Sequence, residues 1–510
     1  MRYHGHVLYF FSFLFHIFGG EIMGFFDFID KANDFVWGPP LMILLLGVGI
    51  ALTLFTGFFQ FRHIGFILKK TFGEVLKQTG GEGEGTISAA EAASIAVGGA
   101  VGAGNIGGVA SAVAIGGPGA IFWMWVCAVV GMMTKMAEVS LALHYREPDI
   151  WGDRFIGGPT YYMQKGLGEE KGWGAAYKPL AIIFGGGLFI AFFLTMQCYN
   201  TAEAIHTTFP SIGMVPVAAF YSLMVYVIVW GGLKSIAGWL GKLVPLMCVI
   251  YVVFGLFIIL RNIGTMPAAF GMIFKYAFTG TAATGGFAGA TTAVVIQTGL
   301  KRALYSNEAG WGSSPMVHAT AVTSHPCEQG LWGCFEVFVD TIIVCTITAL
   351  TIMATGLWDS GMGGAELTLA AFEVGVGYAG RVVIAISTFL FALTTSTGWF
   401  TYYDTLLRHA FGEDSPIRRG IVFLLKVTYS IPGFLAVFLT INSGFASSRI
   451  WGIVDLSTGV PTFANLIAMI FLMGKFFELL KDYKARHMGI GEVDPEFVIW
   501  YEDKKKLEAN

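Results

Sequence analysis

Long apolar runs separated by short polar or charged segments set the pattern of this chain. Trp37–Phe61 is apolar over a full bilayer thickness, and Arg62, Lys69, Lys70 and Lys77 follow it. The next run, Ala89–Ile115, holds no charge from Ala92 onward; a Gly116-Gly117-Pro118-Gly119 turn then leads into Ile121–Leu143. After a polar loop over 146–177, apolar runs recur at about 179–205, 214–233 and 242–260, and later at about 332–356, 379–402, 420–440 and 451–476. Between these groups lies 262–300, rich in Gly and Thr, whose part 284–300 reads as a further, interrupted span. The pattern predicts an all-α polytopic membrane protein of about eleven transmembrane helices.

Basic residues give the spans a direction. With the amino terminus outside and the carboxyl terminus cytoplasmic, Arg62 to Lys77, Arg146, Arg154, Lys301, Arg302, Arg418, Arg419 and the tail lysines all fall inside. Omitting the 284–300 span would reverse every later loop and destroy that bias. Residues 1–22 read as an over-extended start or unstructured leader with Met23 the initiator, because the apolar stretch lacks a small-residue cleavage site. Residues 23–477 then form a single domain, and 478–510 a charged cytoplasmic tail.

One span is anomalous. Ala89–Ile115 contains Gly98, Gly99, Gly102, Gly104, Gly107 and Gly108, with Asn105 in its middle. A lipid-facing helix gains nothing from such backbone freedom, whereas a discontinuous helix that offers bare N–H and C=O groups to a solute requires it. Close packing of small residues would explain the glycines but not the amide. A second glycine-interrupted stretch, Gly285–Gly289, opens the later group of spans. Paired breaks point to two five-helix repeats, 89–260 and 284–476, preceded by one extra helix at 37–61, and to a transporter.

Composition agrees. The chain is 55% hydrophobic and 13% charged, with mean hydropathy +0.66 and net charge −3. No basic block suggests a nucleic-acid partner. The six cysteines lack paired spacing, no HExxH or Walker A pattern occurs, and the GxGxxG at Gly102–Gly107 lies in a span without the strand that a dinucleotide site needs. An intramembrane enzyme would need paired catalytic groups at depth, and nothing pairs Asp340 with Asp455.

Polar groups within spans are the remaining candidates. Gln197 and Asn200 share a helix face and could bond a neighbouring helix or a solute. Thr394-Thr395-Ser396-Thr397, followed by Gly398-Trp399, is a hydroxyl cluster suited to a small alkali cation, unless the hydroxyls bond back to their own helix. Lys135 and Glu138 read as a pair near a helix end, Asp340 as a structural partner for a neighbouring span, and Asn307-Glu308 as part of an inner loop.

The blocks GNIGGVA at 104–110, GGPGAIFWMWVCAVVG at 116–131, LKRALYSNEAGWGSSP at 300–315, DTIIVCTITAL at 340–350 and TGWFTYYD at 397–404 closely resemble signatures of the alanine/glycine:cation symporter family. The resemblance runs from about Trp37 to Phe477. It implies a leucine-transporter-like fold of inverted five-helix repeats with an extra amino-terminal helix, in a bacterial inner membrane and as a monomer. It also implies sodium-coupled uptake of a small neutral amino acid, alanine or glycine. The substrate would contact Gly102, Ala103, Gly104, Asn105, Gln197, Phe287 and Trp399, with the N–H groups of Ala103 and Gly104 toward its carboxylate. Sodium would sit among the carbonyls of Gly98, Val101 and Phe391 and the hydroxyls of Thr394 and Thr395. Ala103 departs from the Thr common in the family's GTGN run, and Ser396-Thr397 from its usual apolar pair. The alternative is a proton-coupled or cation-independent carrier of another small solute.

Overall fold

The computed structural model describes residues 24–73, 83–149, 154–443 and 447–509. The expected leader at 1–22, with Met23, and Lys77 lie outside these. Among the described residues helices dominate, with one two-stranded sheet that pairs Glu147–Pro148 with Phe155–Ile156. Among the described residues, eight helices are long and apolar enough to cross a membrane. The pair Ala89–Ala100 and Gly104–Gly116, bent by 46°, makes a ninth.

Burial sorts these helices into an inner and an outer set. The most apolar window of Gly119–His144 is 89% buried, against 33% for Gly232–Arg261. The outer helices present Ile182, Phe220, Val253 and Leu260 outward, as lipid-facing surfaces do. The inner ones approach so closely that side chains do not fit. A Cβ on Gly119 would lie 2.4 Å from the carbonyl of Tyr276, so only glycine allows that crossing.

The bent span begins where its sequence directs. Ser88 caps the helix Ala89–Ala100 by accepting from the Glu91 N–H, while the Glu91 carboxylate accepts from the Ser88 N–H, a reciprocal capping box. The helix stops at Val101, whose ψ of 93° is extended, and resumes as a π-helical turn over Gly104–Gly108 before Val109–Gly116.

The second interruption is not at Gly285–Gly289. Residues 280–291 form a loop closed by the bridges Thr281–Ala290 and Thr284–Phe287, and this loop packs on Asp359 through a bond from Gly286 N of 2.5 Å. Thr291 then caps an unbroken helix, Thr292–Asn307. The chain leaves helical geometry after it: Glu308, Gly310 and Gly312 have φ of 56°, 94° and 80°, and a short helix Pro315–His318 follows. Glycine content alone cannot separate a surface loop from an unwound span, since both need positive φ. Burial separates them, and Asn307 and Glu308 are fully buried rather than in an inner loop.

Lys301 and Arg302 move with this change. They lie on the helix Thr292–Asn307, 2.5 and 3.5 Å from Asp455, and stack on Trp37 and Trp451. They therefore lie within a helix, beside Trp37, Trp451 and Asp455, and not in a loop.

The tail is folded back. The last long helix continues to Met488, past the expected boundary at 477, and Tyr501–Ala509 docks on the 163–170 segment. Tyr501 donates to Glu169 at 2.9 Å, and the ion pairs Lys505–Glu169 and Lys165–Glu502 are each 2.7 Å. Burial raises the Glu169 carboxyl, but the Lys505 and Tyr501 hydrogen bonds outweigh it and leave the group below the usual carboxylate range.

Candidate functional site

The interruption at Val101–Asn105 is held by its own Asn105 and by Gln197 from another helix. The Gly102 N–H donates to Asn105 Oδ1 at 2.8 Å, and the Ala103 N–H donates to Gln197 Oε1 at 3.3 Å. Two of the backbone donors that the helix releases are thus met by amide oxygens. Gln197 begins the helix Gln197–Thr208 just after a break at 194–196, which aims its side chain at the unwound turn. Asn200 is buried on the same helix.

The hydroxyl helix Tyr378–Phe411 crosses the first half of the bent span. Thr395 Oγ1 donates to the Gly98 carbonyl at 3.1 Å, and Thr394 Oγ1 to the Phe391 carbonyl at 2.9 Å. Gly98, Val101, Phe391, Thr394 and Thr395 are all buried. Gly102 sits against this group; a Cβ there would come within 2.4 Å of Thr395 Oγ1. Thr395 thus meets a carbonyl of the bent span, whereas Thr394 bonds back to its own helix. Ser396 and Thr397 point elsewhere. Ser396 bonds the Tyr221 hydroxyl at 2.7 Å, and Thr397 bonds back to the Leu393 carbonyl at 2.8 Å.

Trp399 closes the other side. Its Nε1 donates to Glu308 Oε1 at 2.8 Å, and its ring lies 5.0 Å from Phe192 and 5.7 Å from Trp311. Tyr305 completes an aromatic wall, and its ring edge would meet a Cβ on Gly104 at 3.2 Å. Among the described residues, two buried polar hydrogens beside this wall, Trp311 Nε1–H and the Tyr402 hydroxyl, have no hydrogen-bond partner.

Phe287 is not part of this assembly. It lies in the 280–291 loop, its ring 5.9 Å from Trp358 and next to Gly117. At 1.5 Å per residue, Gly117 stands about 20 Å along the helix from Ala103. Glu308, Trp311, Tyr305 and Phe192 take the place expected of it. The signal for the first three was present in Tyr305-Ser306-Asn307-Glu308-Ala309-Gly310-Trp311-Gly312. A polar, glycine-punctuated run between apolar flanks reads equally well as a loop.

Behind the wall lies a charged network. Lys135 and Glu138, three apart on one helix, do not pair with each other. Lys135 Nζ donates to the Glu308 carbonyl at 2.8 Å and to Ser314 Oγ at 2.9 Å, and lies 3.7 Å from Glu336. Glu138 accepts from Gly310 N at 3.2 Å and from Asn465 at 2.5 Å. The Glu308 carboxylate also accepts from Ser313. Both residues of the first helix therefore brace the second unwound segment. A cavity of 420 Å³, lined in part by Met316, Thr320, Phe400, Thr401 and Arg408, opens next to this segment, and none of the expected site residues lines it.

The sodium:alanine symporter family model matches residues 23–497. The chain belongs to this family. Within it, the chain is similar to the sodium/alanine symporter AgcS of Methanococcus maripaludis, at 38% identity over 89% of this chain and 96% of that one. It is also similar to a putative sodium/proton-dependent alanine carrier protein of Bacillus subtilis, YrbD, at 34% identity over 92% and 95% of the two chains. A third relative, the probable sodium/glutamine symporter GlnT of Bacillus subtilis, is 34% identical over 92% of each chain. Membership of the symporter family and the apolar helices make this chain a multi-pass transporter of the cell membrane, not an enzyme.

Proposed function

We propose that the chain is a sodium-coupled symporter that carries a small neutral amino acid, alanine or glycine, into the cell. The observation that carries this reading is the contact of Thr395 Oγ1 with the Gly98 carbonyl, one turn before the unwound Gly102–Asn105. Sodium held by Thr394, Thr395 and the carbonyls of Gly98, Val101 and Phe391 would tie the hydroxyl helix to the first half of the bent span. That tie favours one arrangement of the break, and so favours solute binding there.

The substrate carboxylate would replace Gln197 Oε1 at the Ala103 N–H and extend to the Gly104 N–H, at the positive end of the second half-helix. Gln197 would turn its amide toward the solute, and Asn105 would keep the turn in shape. The wall of Phe192, Tyr305, Trp311 and Trp399 leaves little room for a long side chain, which supports alanine or glycine over larger residues. The reading extends to a bacterial inner-membrane monomer with inverted five-helix repeats, an outside amino terminus and about eleven spans. In this reading Thr292–Asn307 and Pro315–His318 form the second broken span.

The test is uptake of labelled alanine into proteoliposomes with sodium outside, inside or absent. An inward sodium gradient should drive accumulation above the outside concentration. Accumulation driven equally by a pH gradient at zero sodium would replace sodium with a proton.

A further inference from the structure

The two interrupted spans are tied together at the end of the molecule where the bent span begins. Residues 84–87 lead into that span, and 319–322 follow the short helix Pro315–His318. The Thr86 N–H donates to the Thr320 carbonyl and the Val322 N–H to the Ile87 carbonyl, each at 2.8 Å. Arg146, itself buried, holds the same two segments. Its Nη1 donates to the carbonyls of Ala319 at 3.3 Å and Ala321 at 2.8 Å, and its Nη2 to that of Glu84 at 2.8 Å.

The folded-back tail rests on this junction. The Arg146 guanidinium lies over two rings, 4.2 Å from the centroid of Phe155 and 4.4 Å from that of Trp500. The His144 Nδ1–H donates to the Ile499 carbonyl at 2.6 Å, and the Tyr501 ring lies 5.3 Å from Tyr145. Three successive tail residues, 499–501, thus meet 144–146 at the end of Gly119–His144. The rest of the tail is fastened to different elements. Lys505 pairs with Glu169 at 2.7 Å, Lys504 with Glu170 at 3.4 Å and Glu502 with Lys165 at 2.7 Å. Glu170 also holds Lys475 of the last long helix at 3.1 Å.

Carrying a solute across requires the interrupted spans to shift against the rest of the protein. A shift that parts 84–87 from 319–322 breaks the Arg146 bonds and lifts its guanidinium from Trp500. We infer that residues 499–509 form a strap that holds these two segments together and slows transport until it is released. Lys504 and Lys505 are 41% and 47% exposed, so their ion pairs are individually weak and screened by salt. A strap made of such pairs releases and rebinds readily. The inference rests on the sodium-coupled alanine reading above for its uptake assay alone.

The experiment measures sodium-driven alanine uptake in proteoliposomes, and amide hydrogen exchange over 84–87 and 319–322 in the purified full-length chain. Trp500→Ala should raise the maximal uptake rate and the exchange of both segments about fivefold, the factor expected when one cation–π contact is lost. Lys505→Glu should raise both about threefold, and adding Glu169→Lys, which restores an opposite pair, should return both to the unmodified values. Lys505 is half-exposed, so these two variants carry the test if Trp500→Ala does not remain monodisperse. Uptake that stays unchanged or falls in Lys505→Glu overturns the strap, as does a change that Glu169→Lys fails to reverse. If the unmodified chain accumulates no alanine, the substrate reading fails and hydrogen exchange decides the strap. Faster exchange in Lys505→Glu then supports it, and unchanged exchange overturns it.

Discussion

Lys135→Met tests the buried charge network most directly. Methionine keeps the length and volume of the chain while removing the charge. The lysine and Glu336 are both fully buried, and Nζ also holds the Glu308 carbonyl and Ser314 Oγ. Removing one partner of a buried pair leaves an uncompensated charge, which costs about 3–5 kcal/mol. Removing both charges with Lys135→Met and Glu336→Gln should cost less than Lys135→Met alone, because no uncompensated charge is left buried. The expected order of stability is unmodified, then double variant, then Lys135→Met. Thermal unfolding of detergent-purified protein, followed by size-exclusion chromatography, reads that order. A double variant no more stable than the single one would refute the reasoning, as would a Lys135→Met protein that melts with the unmodified chain. Either result would mean that Lys135 and Glu336 do not depend on each other for stability.

Thr395→Val keeps shape and loses one oxygen ligand, so the sodium concentration for half-maximal alanine uptake should rise about tenfold, equivalent to about 1.4 kcal/mol; an unchanged value would remove Thr395 from the ion site. Gly102→Ala places a Cβ 2.4 Å from Thr395 Oγ1 and should abolish uptake, with partial recovery when combined with Thr395→Ala. Full activity in Gly102→Ala would show that the break tolerates a side chain. His325, which caps Pro326–Val337 by accepting from Cys327 N through Nδ1, must be neutral to do so. Burial, then the nearby His487 and Arg486, lowers its pKa from 6.5 to about 3. The unfolded chain therefore binds the extra proton first, and stability should fall as pH drops below 6.5 toward 3, by about 2 kcal/mol at pH 5. Melting points of the unmodified chain and His325→Asn, which keeps a capping oxygen without titrating, should diverge over that window and agree at pH 8.

Much of this protein is set by local chemistry and is legible residue by residue. Run lengths in the sequence mark the membrane helices, and the structure returns most of them within a few residues. The Ser88-to-Glu91 capping box and the run Val101–Asn105 dictate where one span starts and breaks, because an amide and unhindered glycines favour that turn whatever surrounds it. The hydroxyls at 394–395 lie beside Gly98 because a polar stripe on an apolar helix must face the protein interior.

Tertiary structure decided what depends on distance between segments. Glycines mark both 285–289 and 308–314 as irregular, but only packing decides that the first is a loop over Asp359 and the second a buried interruption. Lys135 and Glu138 look like a local pair at three residues' spacing, yet each turns to a different partner on the second unwound segment. Phe287 lies far from the break, and Glu308, Trp311 and Phe192 lie beside Trp399, for the same reason. A side chain's neighbours across a bundle are fixed by how helices cross, and no local pattern in one helix encodes that crossing.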